Sequence, residues 1–360
     1  MTNAQLSKAI SVWLFTGVVM VFFQVVIGGV TRITDSGLSI TEWSVIQGIL
    51  PPLTELEWLD AFGKYKVAAR KQFESLYADM TLREFKVIFF WEYAHRLWAR
   101  LMGFIFLIPF LYFLWKKRLP DWLLHRLGVV IGLATLAAVF GWIMVDSGLN
   151  DDKRTWVSAY KLVIHLSITT SLFGYLFWTW LKVSQPLTAK AHFSSLRRLG
   201  RGVAGALFVQ IAFGGLMAGM RAGLVHPHFP FFINGGHFWN ALTSIHYMGI
   251  EDVVDYEPQL FAKAMVQVLH RSMAWILTGL IVLFIIKLNK EGVSSHLKAG
   301  SRLLIVVLVV QLLLGIFTVI NCVEKIPLFL GVVHQAGALV LFAVVLFVNF
   351  QYLRLPKGES

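Results

Sequence analysis

The sequence predicts an all-α membrane protein whose eight transmembrane helices form two pseudo-symmetric four-helix bundles. Three observations predict it. The 360-residue chain is 57% hydrophobic and only 14% charged, with a mean hydropathy of +0.68, a balance foreign to soluble globular domains. Eight apolar windows are long enough to cross a hydrocarbon core about 30 Å thick, which takes about 20 helical residues. Finally, motifs of the first half recur in the second at a nearly constant offset.

The windows run from Val12 to Val30, Ile88 to Leu114, Leu127 to Val145, Ala159 to Leu181, Val203 to Met220, Ala264 to Ile286, Leu303 to Ile320 and Phe329 to Phe350. Two connections on one side are long. The first, 31–87, contains Pro51-Pro52 and an amphipathic stretch from Leu53 to Leu76, which predicts short helices lying at the membrane surface. The second, Arg221 to Lys263, is rich in Gly, Pro, His and acidic residues and predicts an irregular loop.

The formal net charge of +12 follows topology. With the N-terminus inside, the short loops on that side carry Lys116, Lys117, Arg118, Arg126, Arg197, Arg198, Arg201, Lys287, Lys290, Lys298 and Arg302, with very few acids. Both termini are therefore expected in the cytoplasm, and nucleic acid is not expected as a partner. The first helix is too long for a signal peptide and no small-residue cleavage site follows it, so a bacterial inner membrane is expected. A single cysteine, Cys322, excludes an intrachain disulfide and any multi-cysteine metal site.

The repeat divides the chain into 1–190 and 191–360. Gln24-Val-Val-Ile-Gly28-Gly29 with Gly37 is echoed by Gln210-Ile-Ala-Phe-Gly214-Gly215 with Gly223. His95-Arg96 is echoed by His270-Arg271, Gly141 by Gly315, and His165 by His334. The offsets of 186, 175, 174 and 169 residues drift only through loop lengths.

Eleven histidines are present, and seven fall in loops. His95, His165, His270 and His334 instead lie within helices, 6 to 8 residues from the outer end of the apolar segment, about 10 Å deep at 1.5 Å per residue. An ionisable side chain in lipid carries a desolvation cost and is a functional candidate by default. Four at one depth on alternate helices make two pairs, and haem iron accepts imidazole on both axial faces. Zinc, with four gathered ligands, suits a pair less well. His226-Pro-His228 has metal-like spacing, but two loop histidines are a weak signal. Glu92 precedes His95 by one turn on the same face, whereas Gln267 stands before His270, so the two sites are chemically unequal. The bland alternative for Glu92 is an interfacial salt bridge with Arg96 or Lys86. Arg96 and Arg271, with Arg32, Arg100 and Lys161, are candidate partners for haem propionates, with snorkelling to lipid headgroups as the alternative.

The motifs Gln24 to Trp43, Glu84 to Arg96, Gly141 to Leu149 and Phe213 to Gly223 resemble those of the haem A synthases of the proteobacterial and mitochondrial type. The resemblance implies that the first bundle takes haem O and oxidises its C8 methyl to the formyl of haem A, for cytochrome oxidase. It implies that His95 and His165 face the substrate, that His270 and His334 ligate a haem B cofactor, and that Glu92 is the essential glutamate. The chain resembles the class without cysteine pairs in its outer loops. The implied partners are membrane lipid, haem O, a haem O synthase that delivers it, an electron donor and a second copy of the chain. Two histidines leave iron no open position, so either one of the first pair dissociates or the oxygen comes from water. A two-haem b-type cytochrome that passes electrons from quinol would carry the same histidines and is the rival reading; a transporter is a third.

Overall fold

The computed structural model describes residues 8–42, 50–149, 155–185, 194–230, 260–290 and 295–352. Ten α-helices and two single 3-10 turns account for their regular structure, with no strand among the described residues. In order they are α1 (Lys8–Ile33), α2 (Glu55–Ala68), α3 (Arg70–Leu76), α4 (Leu82–Trp115), α5 (Asp121–Asp146), α6 (Ala159–Ser184), α7 (Ser194–Gly219), α8 (Leu260–Lys290), α9 (Ser295–Ile320) and α10 (Leu328–Tyr352). Eight of them, all but α2 and α3, are long and apolar enough to span a membrane, and the chain is a multi-pass membrane protein. Most of the second long connection, 231–259 with His237 and His246, lies outside the described residues, as do 1–7 and 353–360.

The short helices expected in the first long connection are present as α2 and α3. Thr54 starts α2 with a capping box to Glu57, which satisfies two N-terminal donors reciprocally. The helix buries Phe62 and Tyr65 against Phe85 of α4, while Leu53, Leu56 and Val67 stay exposed. A second capping box, Thr81 with Glu84, starts α4 well before its apolar window. His95 is therefore 13 residues from the start of α4 and His270 is 10 from that of α8, against 6 for His165 and His334. The shallow placement holds for the apolar segments, but α4 and α8 project one to two turns farther.

Helices α1, α6, α7 and α10 form the centre, and α4, α5, α8 and α9 the periphery. Half of the apolar window of α1 is buried inside the protein, against 6% for α4 and 11% for both α5 and α9. Contacts run α1 to α6, α6 to α7, α7 to α10 and α10 to α1, closing the central four, while α4 packs on α1, α5 on α6, α8 on α7 and α9 on α10. This pattern is compatible with two like-oriented four-helix units. The packed core fills only one end: its members lie between Ile10 and Val25 in α1, Leu172 and Val183 in α6, and Leu339 and Phe350 in α10. Toward the other end, α5 has no buried residue after Val130 and α9 none after Leu308.

The repeat units meet at equivalent residues. Asp35 and Arg221, 186 positions apart, are both left-handed (φ 57° and 50°) and each introduces a 3-10 turn, Ser36–Leu38 and Ala222–Leu224. Arg221 donates to Asp35 Oδ1 at 2.5 Å and stacks 3.5 Å from the centre of the Trp156 ring, while Tyr77 donates to Asp35 Oδ2 at 2.9 Å. Burial and the neighbouring Asp35 carboxylate push the Tyr77 phenol up, so it remains a donor at neutral pH. Arg32 reaches from α1 to the carbonyls of Ala218 and Gly219 that close α7.

Two expected outcomes test this packing in thermal unfolding of the detergent-solubilised protein. A β-carbon on Gly219 would lie 2.9 Å from the Ala159 Cα, so Gly219→Ala should cost about 1–3 kcal/mol, whereas Gly205, with open space around it, should accept Ala without loss. Asp35→Ala removes the carboxylate partner shared by Arg221 and Arg32 and should cost about 3 kcal/mol.

Candidate functional site

Each membrane histidine lies against a glycine of the preceding spanning helix. A β-carbon on Gly28 would sit 3.0 Å from His95 Cε1, on Gly141 3.1 Å from His165 Cε1, on Gly214 3.5 Å from His270 Cε1, and on Gly315 2.9 Å from His334 Cε1. The missing side chain at these four positions makes room for the ring, and any larger residue at 28, 141 or 315 would move it.

The second glycine of each doublet serves a different contact. Gly29 admits the side chain of Gln335 from α10, which donates to the Val25 carbonyl at 2.8 Å, and Gly215 admits Leu166 from α6. Gln335 and Leu166 each follow a membrane histidine. One glycine of the pair thus seats a histidine and the next seats the other repeat.

His270 and His334 have ring centroids 6.5 Å apart with planes at 83°. Two imidazoles on one metal ion, each bonded at about 2 Å and with about 1 Å from nitrogen to ring centre, place their centroids roughly 6 Å apart. The second pair therefore has the spacing for one iron between its rings. All four rings are half-buried. Among the described residues no third His, Cys, Asp or Glu joins them in a metal-binding group.

Glutamines that the motif comparison did not single out as site residues stand beside three of the rings. The Gln24 amide nitrogen is 3.2 Å from His95 Nδ1 and 3.1 Å from Nε2, that of Gln210 is 3.1 Å from His270 Nδ1, and that of Gln311 is 3.1 Å from His334 Nδ1. Each also donates to the main-chain carbonyl of its histidine. The equivalent of Gln311 in the first repeat is Ala137, and there His165 Nδ1 approaches the Ala137 carbonyl at 2.9 Å. A signal was present: each of these residues lies four positions before the glycine its histidine contacts.

Glu92 is buried, 2% exposed, and fully engaged. Its carboxylate accepts from Ser39 Oγ at 2.8 Å, the Ile40 backbone N–H at 2.7 Å and Arg96 at 2.6 Å. The partner is Arg96 rather than Lys86, whose ammonium lies 5.0 Å from the centre of the Trp58 ring. Arg96 also donates to the carbonyls of Ile40 and Glu42, so the pair clamps the strap that follows the first 3-10 turn. In the second repeat Gln267 donates to the carbonyls of Ala222 and His226, the equivalent strap, with opposite polarity. Arg271 donates to the Pro230 carbonyl, Lys161 to that of Ile143, and Arg32 is held at the repeat junction. Four of the propionate candidates, Arg96, Arg271, Lys161 and Arg32, are thus engaged with main-chain carbonyls. Cys322 lies against Gly223, and burial pushes its thiol up to about 11.

Comparison with known proteins is in keeping with these features. The COX15-CtaA family, described as cytochrome oxidase assembly proteins, matches residues 11–346. Proteins named Heme A synthase are similar along almost their whole length. That of Flavobacterium psychrophilum is 36% identical, over 94% of this chain and 96% of its own. That of Nitrosospira multiformis is 37% identical over 96% and 94%, and that of a Caulobacter species 38% identical over 94% of both. With the match running from the first spanning helix into the last and including every histidine discussed, this chain belongs to the COX15-CtaA family of cytochrome oxidase assembly proteins.

Proposed function

We propose that this protein is a haem A synthase, which oxidises the C8 methyl of haem O to the formyl group of haem A. The observation that carries this reading is the near full-length similarity to proteins of that name in a chain that sets two histidine pairs on glycine seats. The first unit, 1–190, takes haem O between His95 and His165. The second, 191–360, holds haem B between His270 and His334. The 6.5 Å ring separation and the shortage of buried side chains along the outer halves of α5 and α9 support a flat macrocycle at that level. When bound, the C-terminal haem B supplies one-electron redox capacity beside the substrate site.

The chain's own residues account for the inequality of the two sites. Glu92 sits one turn from His95, its carboxylate buried and held in place by Ser39, Ile40 and Arg96. There it can stabilise positive charge developing at the methyl carbon or take up the proton released there. Gln267 fills the equivalent place without charge, which suits a haem that only passes electrons. Arg96 and Arg271 stand next to the histidines on the same helices and would have to exchange main-chain carbonyls for propionates. Positive loops on one side favour an inner-membrane protein with both termini cytoplasmic. Haem O synthase, an electron donor and a second copy of the chain are the partners that fit this role.

A two-haem cytochrome shares the histidines, and the buried Glu92 of one site only speaks for synthesis. Pigment extracted from the purified protein should contain haem B together with haem O or haem A; haem B alone would instead favour the cytochrome. Glu92→Gln should retain both haems by absorption spectroscopy while haem A formation falls about 100-fold. Wild-type conversion by that variant would remove Glu92 from the chemistry.

A further inference from the structure

The two four-helix units are not closed alike. In the second, α8 packs on α7, α7 on α10, α10 on α9, and α9 meets α8, so each helix touches the next around the ring. In the first, α4 packs on α1, α1 on α6 and α6 on α5, but no packing joins α5 to α4, although only residues 116–120 separate the two in sequence. Burial follows the same asymmetry: 28% of the apolar window of α8 is buried inside the protein, against 6% for its equivalent α4. Glycine in a spanning helix commonly marks the close approach of a neighbour. Gly103 of α4 and Gly132 of α5 have open space where a β-carbon would stand, and their repeat equivalents are Thr278 and Val306. Counted from the short connection at 1.5 Å per residue, the two glycines lie at about one depth. Neither helix carries a charge between Arg100 and Lys116 or between Arg126 and Asp146, so the unbridged side is apolar.

The helices that leave this side open are the ones that frame the first site. Helix α4 carries Glu92 and His95, and α5 carries Gly141, the seat of His165. Haem O differs from haem B by a long isoprenoid chain, which favours the bilayer over water as an acyl tail does. We propose, resting on the haem A synthase reading above, that haem O enters the first unit sideways from the lipid, through the side left open between α4 and α5, with its tail trailing in that gap. A ring of helices closed on all four sides suits a haem that stays. One that opens toward lipid suits a haem that must come and go with a chain attached.

Joining the two walls tests the port. Protein purified from cells that make no haem O, with its haem B in place, is given haem O in detergent, and uptake is followed by absorption. In the variant with Gly103→Cys and Gly132→Cys together, a bifunctional thiol reagent that links α4 to α5 should slow uptake about tenfold, because entry then requires helices to move apart elsewhere. Linking after loading should slow release as well, whereas a merely distorted site would release haem O faster. Thr278→Cys with Val306→Cys, linked in the same way across α8 and α9, should leave uptake unchanged. Gly103→Trp fills the gap without a reagent and should also slow uptake while haem B is retained. Uptake at the original rate in both the linked protein and the Gly103→Trp variant overturns the port and leaves the gap to lipid or to a second copy of the chain. Failure of the unaltered protein to take up haem O at all is a separate result, which overturns the haem O reading beneath the proposal.

Discussion

Everything in this molecule is arranged around the cost of keeping polar groups away from water. The hydrocarbon core offers no hydrogen bonds, so a side chain that enters it must bring or find its partner within the protein. The four histidines illustrate the rule: each lies on a glycine, and each has an amide or a carbonyl at a ring nitrogen. Glu92 obeys it more strictly, with three donors on one carboxylate. These requirements fix which helices must touch. Helix α1 has to approach α4, α5 to approach α6, α7 to approach α8, and α9 to approach α10, because in each pair one member carries the glycine and the other the ring.

The glycine doublets turn this local demand into a global arrangement. Adjacent residues on a helix point about 100° apart, so two consecutive glycines open two different faces. Gly28 and Gly214 face the histidine of their own repeat, and Gly29 and Gly215 face Gln335 and Leu166 of the other. Seating the histidine and docking the repeats are therefore coupled through neighbouring backbone positions. The tightly packed end of the protein holds the helices together, and the histidines stand toward the other end.

Much of this was legible in the sequence. Membrane thickness imposes helix length, so the eight windows appear directly in the apolar runs, and duplication makes the histidines of one half a check on those of the other. What escaped reading was set by main-chain atoms and by partners on other helices. The Ile40 N–H that binds Glu92 has no side-chain signature, and the capping box that lengthens α4 lies outside the apolar pattern. Gln24 and Gln210 were visible as repeated letters, yet only packing reveals that their amides meet imidazoles. Ala137 acts through a carbonyl that every residue possesses, so its residue type carries no signal and only its place four positions before Gly141 marks it. The ion pair of Glu92 with Arg96 was one of the two salt bridges open to that glutamate, and the one-turn spacing of the two residues favours it.

The contact between Asp35 and Arg221 bears on ancestry. In an assembly of two identical halves, positions related by the symmetry axis must hold the same side chain, and like charges there would repel. Opposite charges across such an axis are open only to halves that have become parts of one chain and have been free to diverge. The ion pair at this junction joins equivalent positions of the two repeats by opposite charges, a contact closed to two identical halves.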